Sequence, residues 1–170
     1  MPARAFAPAG PRTPPPHGCS WEGLMGLALA EARAAGAAGE VPVGAALAAP
    51  DGRVLARCGN ACVRGSDPTA HAELLALRRA GAVLGNYRLA GCVLVVTLEP
   101  CAMCAAAIIH ARLAGVVYGA ADPSAGAVIS RAEYFDAQCA NHNVWHMGGV
   151  RSTECAALLR EFFAVRRGGR

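Results

Sequence analysis

The sequence predicts an α/β fold, and three observations carry the prediction. Stretches with apolar residues at helical spacing alternate with short apolar and β-branched runs. One run, Cys92 to Leu98, is β-rich from end to end, as suits a strand buried on both faces. The last strands are separated by helix-length segments, the pattern of crossover connections in a sheet covered by helices. With 170 residues, one such domain with a real core is expected, and two full-sized domains are not.

Residues 1–19 hold six of the eleven prolines among Ala, Gly and Arg, a composition that favours extended, solvated chain. They are expected to form a disordered tail ahead of a domain at 20–170, although a start site placed too far upstream would give the same composition. Ser20 reads as the N-cap of a helix running to Ala35 and stopped by Gly36, with Trp21, Leu24, Met25 and Ala28 on its core face. Val43 to Ala49 and Arg53 to Cys58, joined by Pro50-Asp51-Gly52, form a β-hairpin. A polar loop follows from Asn60 to Asp67. Asp67-Pro68 reads as an N-cap with proline at the first helical position, opening a helix that carries His71 and Glu73 and ends near Gly81.

Cys92 to Leu98 is the central strand and points at Glu99-Pro100-Cys101. A helix from Cys101 to about Arg112 and a short buried strand at Gly115 to Tyr118 come next. Gly119 to Gly126 is turn-like, Val128 to Ala140 carries no clear period, and Val144 to Met147 is a candidate strand. Ser152 caps a last helix with Glu154 in its acidic first turn and Ala156, Leu159, Phe162 and Phe163 on an apolar face, at least one Phe being expected in the core.

Composition excludes some chemistries. The sixteen basic side chains are all arginine, so no Schiff-base lysine and no phosphate-loop lysine is available. The arginine excess itself fits a GC-rich coding bias. The net charge of +4 is modest, but from Arg151 to Arg170 five arginines against two glutamates leave +3. Eight cysteines without an apolar signal core after the N-terminus suggest reduced thiols in the cytoplasm, and no run approaches the roughly 18 apolar residues of a membrane span.

The chemistry concentrates in His71-Ala72-Glu73 and Pro100-Cys101-Ala102-Met103-Cys104. Cys101 and Cys104, at i and i+3 where a helix begins, share a face and lie in the positive end of the helix dipole, which favours thiolate. A CxxC alone also suits a redox pair, but that reading leaves His71 and Glu73 without a task. Three protein ligands with an open position describe catalytic zinc, and four describe structural zinc; Cys58 and Cys62 are the rivals for a fourth. A water in the open position would have its pKa lowered from about 15.7 to about 7, and Glu73 is the natural proton carrier. One difficulty stands: on an ideal helix residues i and i+2 point about 200° apart, so spacing does not put Glu73 beside a metal on His71.

HAE followed by PCAMC resembles the H-x-E and P-C-x-x-C signature of the zinc-dependent nucleobase deaminases. Glu40 to Ala45, Asp67 to Glu73, Asn86 to Leu89, Val96 to Cys104, and Glu154 to Leu159 with Phe162, Phe163, Arg166 and Arg167 are similar to the bacterial tRNA-specific adenosine deaminases. This likeness runs from about residue 20 to 167. It implies the cytidine-deaminase-like three-layer α/β/α fold with a five-stranded mixed sheet, and a homodimer that converts the wobble adenosine of a tRNA anticodon to inosine. It implies one Zn2+ per subunit on His71, Cys101 and Cys104, with Glu73 as proton shuttle. Asn60 and Asp122 would lie near the flipped base, and Phe162, Phe163, Arg166 and Arg167 would meet the anticodon stem-loop. Departures are the long N-terminal tail and Asn143 to Gly149, where Trp145 and His146 replace a more polar strand.

Two alternatives remain at this level. A deaminase of free guanine or cytosine, or of a nucleoside such as cytidine, would share the zinc site, but it has no use for a distal basic helix. A non-catalytic RNA-binding zinc protein has no use for Glu73.

Overall fold

Ser20 accepts a hydrogen bond from Gly23 N at 3.0 Å and opens α1 (Trp21–Ala37), as its side chain suits it to do. The computed structural model describes residues 13–138 and 140–168. α1 continues through Gly36, past its expected end, and the third helix likewise continues through Gly81. In each case the chain turns at a later glycine that adopts a positive φ, Gly39 at +84° and Gly85 at +61°, so the earlier ones are ordinary helical residues.

β1 (Gly44–Ala48) and β2 (Val54–Gly59) form the expected hairpin, with Ala49 N donating to Arg53 O at 2.9 Å across the turn. The stretch read as a polar loop contains a one-turn helix, α2 (Cys62–Gly65). Then come α3 (Ala72–Leu84), β3 (Val93–Leu98), α4 (Ala102–His110), β4 (Gly115–Ala120), a 3₁₀ turn at Tyr134–Asp136, β5 (Trp145–Gly148) and α5 (Ser152–Gly168). The strands form one mixed sheet in the order β2-β1-β3-β4-β5, antiparallel on the hairpin side and parallel from β3 to β5.

β3 is buried on both faces, as its uninterrupted run requires, and alternation sorts its side chains between two cores. Leu94 and Val96, with Val116 and Tyr118 of β4, pack against Ala76 and Leu77 of α3 and Ile108 of α4. Val93, Val95 and Val117 pack on the other face against Leu24, Met25 and Leu29 of α1 and Cys155 of α5. Each large side chain buried this way contributes roughly 1.5–3 kcal/mol. The result is the three-layer α/β/α arrangement around a five-stranded mixed sheet, and it places the start of α4 at the carboxyl end of a parallel central strand, where open α/β sheets bind ligands.

α5 departs from expectation. Cys155 is its buried contact, whereas Phe162 is half-buried and Phe163 is 44% exposed, so neither ring enters the core. The packed part of α5 lies over β3 and β4, and its last turns run past the sheet to the connection between α1 and β1.

Of the Pro-rich segment expected to be disordered, residues 1–12 lie outside the described residues. In 13–19 the chain lies along the hairpin and α1, with His17 N donating to Pro50 O, the Cys19 thiol to Gly52 O and the Trp21 indole to Thr13 O. At the far edge, Trp145 meets Trp21 edge-on with centroids 5.8 Å apart, and His146 lies 6.0 Å from the Phe135 ring. Among the described residues no helix is long and apolar enough to cross a membrane.

Candidate metal centre and active site

The helix that carries His71 does not open at Asp67-Pro68. Asp67 instead closes a turn, its Oδ1 accepting from the Thr69 amide at 2.8 Å and hydroxyl at 2.7 Å, a competition between side chain and helix that Asp commonly wins. α3 starts at Ala72, and His71 precedes it in extended conformation, φ −71° and ψ 149°. That resolves the spacing difficulty. The 200° separation holds only within a helix, and here the chain bends between His71 and Glu73.

His71 stands at the N-cap position without capping with its own side chain. Asn60 does so from outside the helix, its Oδ1 accepting from Ala72 N at 2.8 Å. The imidazole is thereby free to turn toward Cys101 and Cys104, and its Nδ1 lies 3.8 Å and 3.5 Å from their sulfurs. Cys101 likewise precedes α4 as an extended N-cap residue with no side-chain cap, and Cys104 lies in the first turn. Two helix N-termini thus deliver three ligands to one point.

The fit to zinc can be judged from these distances. Tetrahedral Zn–S and Zn–N bonds of about 2.3 and 2.0–2.1 Å put donor atoms roughly 3.5–3.8 Å apart. His71 Nδ1 and the two sulfurs all lie within 4.8 Å of one another, and they are the metal-capable group among the described residues. Cys58 is buried in the core and Cys62 sits at the pocket rim, so neither joins them. The three groups share protons. The Cys104 thiol and then His71 hold the Cys101 thiolate by hydrogen bonds, lowering its pKa to about 4. The same bond to Cys101, and then burial, push the Cys104 thiol up, while the bond to Cys101 raises His71. A cation placed among such donors removes the shared protons and ionises both thiols.

Glu73 is 4% exposed, its Oε2 is buried with no hydrogen-bond partner, and burial pushes its pKa up. An unpaired buried carboxylate oxygen is costly and marks a group held for a ligand. It opens on a pocket of about 250 Å3 shared with His71, Cys101, Asn60, Asp122 and Arg166. That is below the ~300–1,000 Å3 of drug-sized sites and suits one base. A larger groove of about 730 Å3 lies elsewhere, between α3 and α4, lined by Leu77, Tyr87 and His110; the converging donors and the unpaired carboxylate identify the smaller cavity as the site.

The remaining expected contacts divide. Asn60 is 7% exposed, with Oδ1 committed to α3 and its amide nitrogen left to address a ligand. Asp122 lines the pocket while its Oδ1 accepts from Ser124 N and Ala125 N. Arg166 lies over the Phe162 ring at 4.3 Å and donates to Gly39 O at 2.7 Å, so although exposed it is fixed at the pocket edge; Arg167 is exposed as well. Arg151 is held by Glu154 through two 2.8 Å bonds, and Arg170 lies outside the described residues.

Two acids escaped the reading of the sequence. Glu40, 1% exposed, accepts from Val63 N and Arg64 N, and these amides lower its pKa. Glu99, 2% exposed, is pushed up by burial but held lower overall by the Ser130 hydroxyl and by backbone amides. A signal existed, since an acid at the end of an apolar run and directly before Pro-Cys has no route to water and must find donors.

Comparison with known proteins agrees with this geometry. Residues 20–120 match the family described as the cytidine and deoxycytidylate deaminase zinc-binding region. A tRNA-specific adenosine deaminase of Agrobacterium fabrum is 49% identical over 85% of this chain and 94% of its own length. The solved structure of a tRNA:A34 deaminase, studied for A-to-I editing at the wobble position, superposes with a TM-score of 0.78 at 48% identity, covering 80% of this chain and 98% of that one. A guanine deaminase from Nitrosomonas europaea superposes at 0.76 with 28% identity, over 94% and 97% of the two chains. The chain belongs to the zinc-binding cytidine and deoxycytidylate deaminase family, and within it to the tRNA-specific adenosine deaminases.

Proposed function

We propose that the protein hydrolyses the wobble adenosine of a tRNA anticodon to inosine, with residues 20–170 as the deaminase domain, His71, Cys101 and Cys104 holding one zinc ion per subunit, and Glu73 carrying the proton. The observation behind the chemistry is the unpaired buried Oε2 of Glu73 beside three converging metal donors. The relatives' tRNA and A34 specificity supports the substrate.

Zinc supplies a Lewis acid that makes water nucleophilic at neutral pH. Glu73 would take up a proton at Oε2 from the attacking water and deliver it to the purine ring nitrogen as C6 is attacked. It then assists the amine as the C6–N bond breaks, so water and adenosine leave as inosine and ammonia. Its burial raises its proton affinity, as a carboxylate acting as both base and acid requires. The Asn60 amide nitrogen and Asp122 address the base edge.

The pocket takes only a base, so the rest of the stem-loop lies on α5, where exposed Phe163 offers a stacking face and Arg167 a phosphate contact. Arg166, backed by the Phe162 ring, lies at the pocket mouth. The seven cysteines of the described residues are all free thiols, which supports a reducing, cytoplasmic setting. The groove between α3 and α4, with Tyr87 72% exposed on its lining, supports a homodimer.

Zinc-loaded protein incubated with an anticodon stem-loop bearing a wobble adenosine is expected to yield inosine and ammonia in equal amounts. Ammonia from guanine or cytidine with none from the RNA would favour the free-base or nucleoside reading, to which the likeness to guanine deaminase points. RNA binding without either product would make the protein a non-catalytic zinc protein.

A further inference from the structure

We propose that Glu99 is a positioning residue for substrate: its carboxylate sets the wall of the base pocket that carries Asp122. The proposal rests on the deaminase reading. Glu99 Oε1 accepts from Val128 N at 3.1 Å, Ile129 N at 2.8 Å and Ser130 N at 2.9 Å. Oε2 accepts from Asp122 N at 3.0 Å and from the Ser130 hydroxyl. A carboxylate has about four lone-pair sites, and five donors from one loop saturate it.

The loop therefore wraps an internal anion. It makes the tightest approach at Gly126, where a Cβ would lie 2.4 Å from the Glu99 carboxyl and 2.6 Å from Asp122 O. Ala127 N also donates to Pro100 O at 2.8 Å, and Gly126 pairs with Cys101. One short segment, Glu99 to Cys101, thus anchors a metal ligand and the Asp122 wall together. Asp122 holds its own carboxylate against Ser124 N and Ala125 N, so the direction in which it meets a base follows from where Glu99 fixes its backbone.

Glu99→Gln tests this at constant size. The remaining oxygen can keep three amides, but the new NH₂ faces the Asp122 N–H, and two donors repel. The Ser130 hydroxyl can rotate to accept from it; the Asp122 amide cannot. The expected result is a KM for the stem-loop raised roughly 5- to 150-fold, the range for one unpaired buried donor, with kcat within about threefold and zinc content unchanged. Gly126→Ala, which displaces the carboxyl from the loop side, is expected to give the same split. Ser130→Ala, which leaves all four amides bonded, is expected to change KM by less than about threefold.

A fall in kcat with loss of zinc at unchanged KM would overturn the proposal and make Glu99 a support for Cys101 only. Unchanged constants in both Glu99→Gln and Gly126→Ala would overturn it as well. If Glu99→Gln does not fold, Gly126→Ala and Ser130→Ala decide. Turnover of the stem-loop by the unmutated protein, measured alongside, separates failure of this proposal from failure of the deaminase reading.

Discussion

At the floor of the pocket Glu73 is 4% exposed and two sulfurs lie within 3.8 Å of one imidazole nitrogen, whereas on the outer half of α5 Phe163 is 44% and Val165 78% exposed. The floor is over-determined: two helix N-termini, an Asn60 cap from outside and a buried strand all aim at one point. The last turns of α5 are held to the domain by the Arg166 contact to Gly39 O. A reacting centre has to be held within a fraction of an ångström, while a surface for a flexible RNA loop needs accessible rings and charges. Changes at the floor are therefore expected to act on rate, and changes on α5 on affinity.

The largest effect is expected from Glu73→Gln, which keeps the shape and removes the proposed proton carrier. Inosine formation should fall by at least ~10²- to 10⁴-fold with zinc content and RNA affinity unchanged, measured by single-turnover assay, metal analysis and filter binding. Loss of RNA affinity in that variant would break the division between floor and surface.

Glu40 lies between the two regions, holding α2 at the pocket rim beside the Gly39 carbonyl that receives Arg166. Its pKa is lowered in the folded protein by the Arg64 and Val63 amides. A depressed carboxylate contributes stability that is present above its unfolded pKa, near 4.5, and is lost as pH falls through the folded value. Glu40→Gln should therefore lower Tm at pH 7, and the gap from the unmutated protein should narrow as the pH falls below about 4.5. A gap that is the same at every pH would mean that shape, and not charge, holds α2.

The smallest effect is expected from Arg167→Ala. It should weaken stem-loop binding uniformly, reduce the slope of log affinity against log salt by about 0.7–1 and leave kcat and zinc alone. The sequence pairs Arg166 with Arg167 as equivalent phosphate contacts, but the structure separates them. An Arg167→Ala variant with an unaltered salt slope would remove α5 from RNA binding.

Much of the fold was legible because it rests on local pattern. The β3 run could only be a buried strand, Ser20 could cap α1, and Pro50-Asp51-Gly52 could only turn. At the end of α5 the structure differs from expectation because an apolar stripe looks the same whether it packs into a core or stays at the surface. The onset of α3 was misread for a related reason: Asp67-Pro68 satisfies the local rules for a helix start, and the cap that is used, Asn60, comes from a different part of the chain.

What the sequence determined by itself was the set of reacting groups: one imidazole and two thiols at N-terminal spacing, one acid two residues along the chain from the imidazole, and no lysine to suggest another reaction. Tertiary structure decided how those residues meet. His71 reaches the sulfurs because an amide eleven residues away takes over its capping duty, and Glu73 joins it because the chain bends at the helix start. Glu40 and Glu99 hold the walls because a buried carboxylate must find donors, and which amides answer depends on loops that only the folded sheet brings within reach.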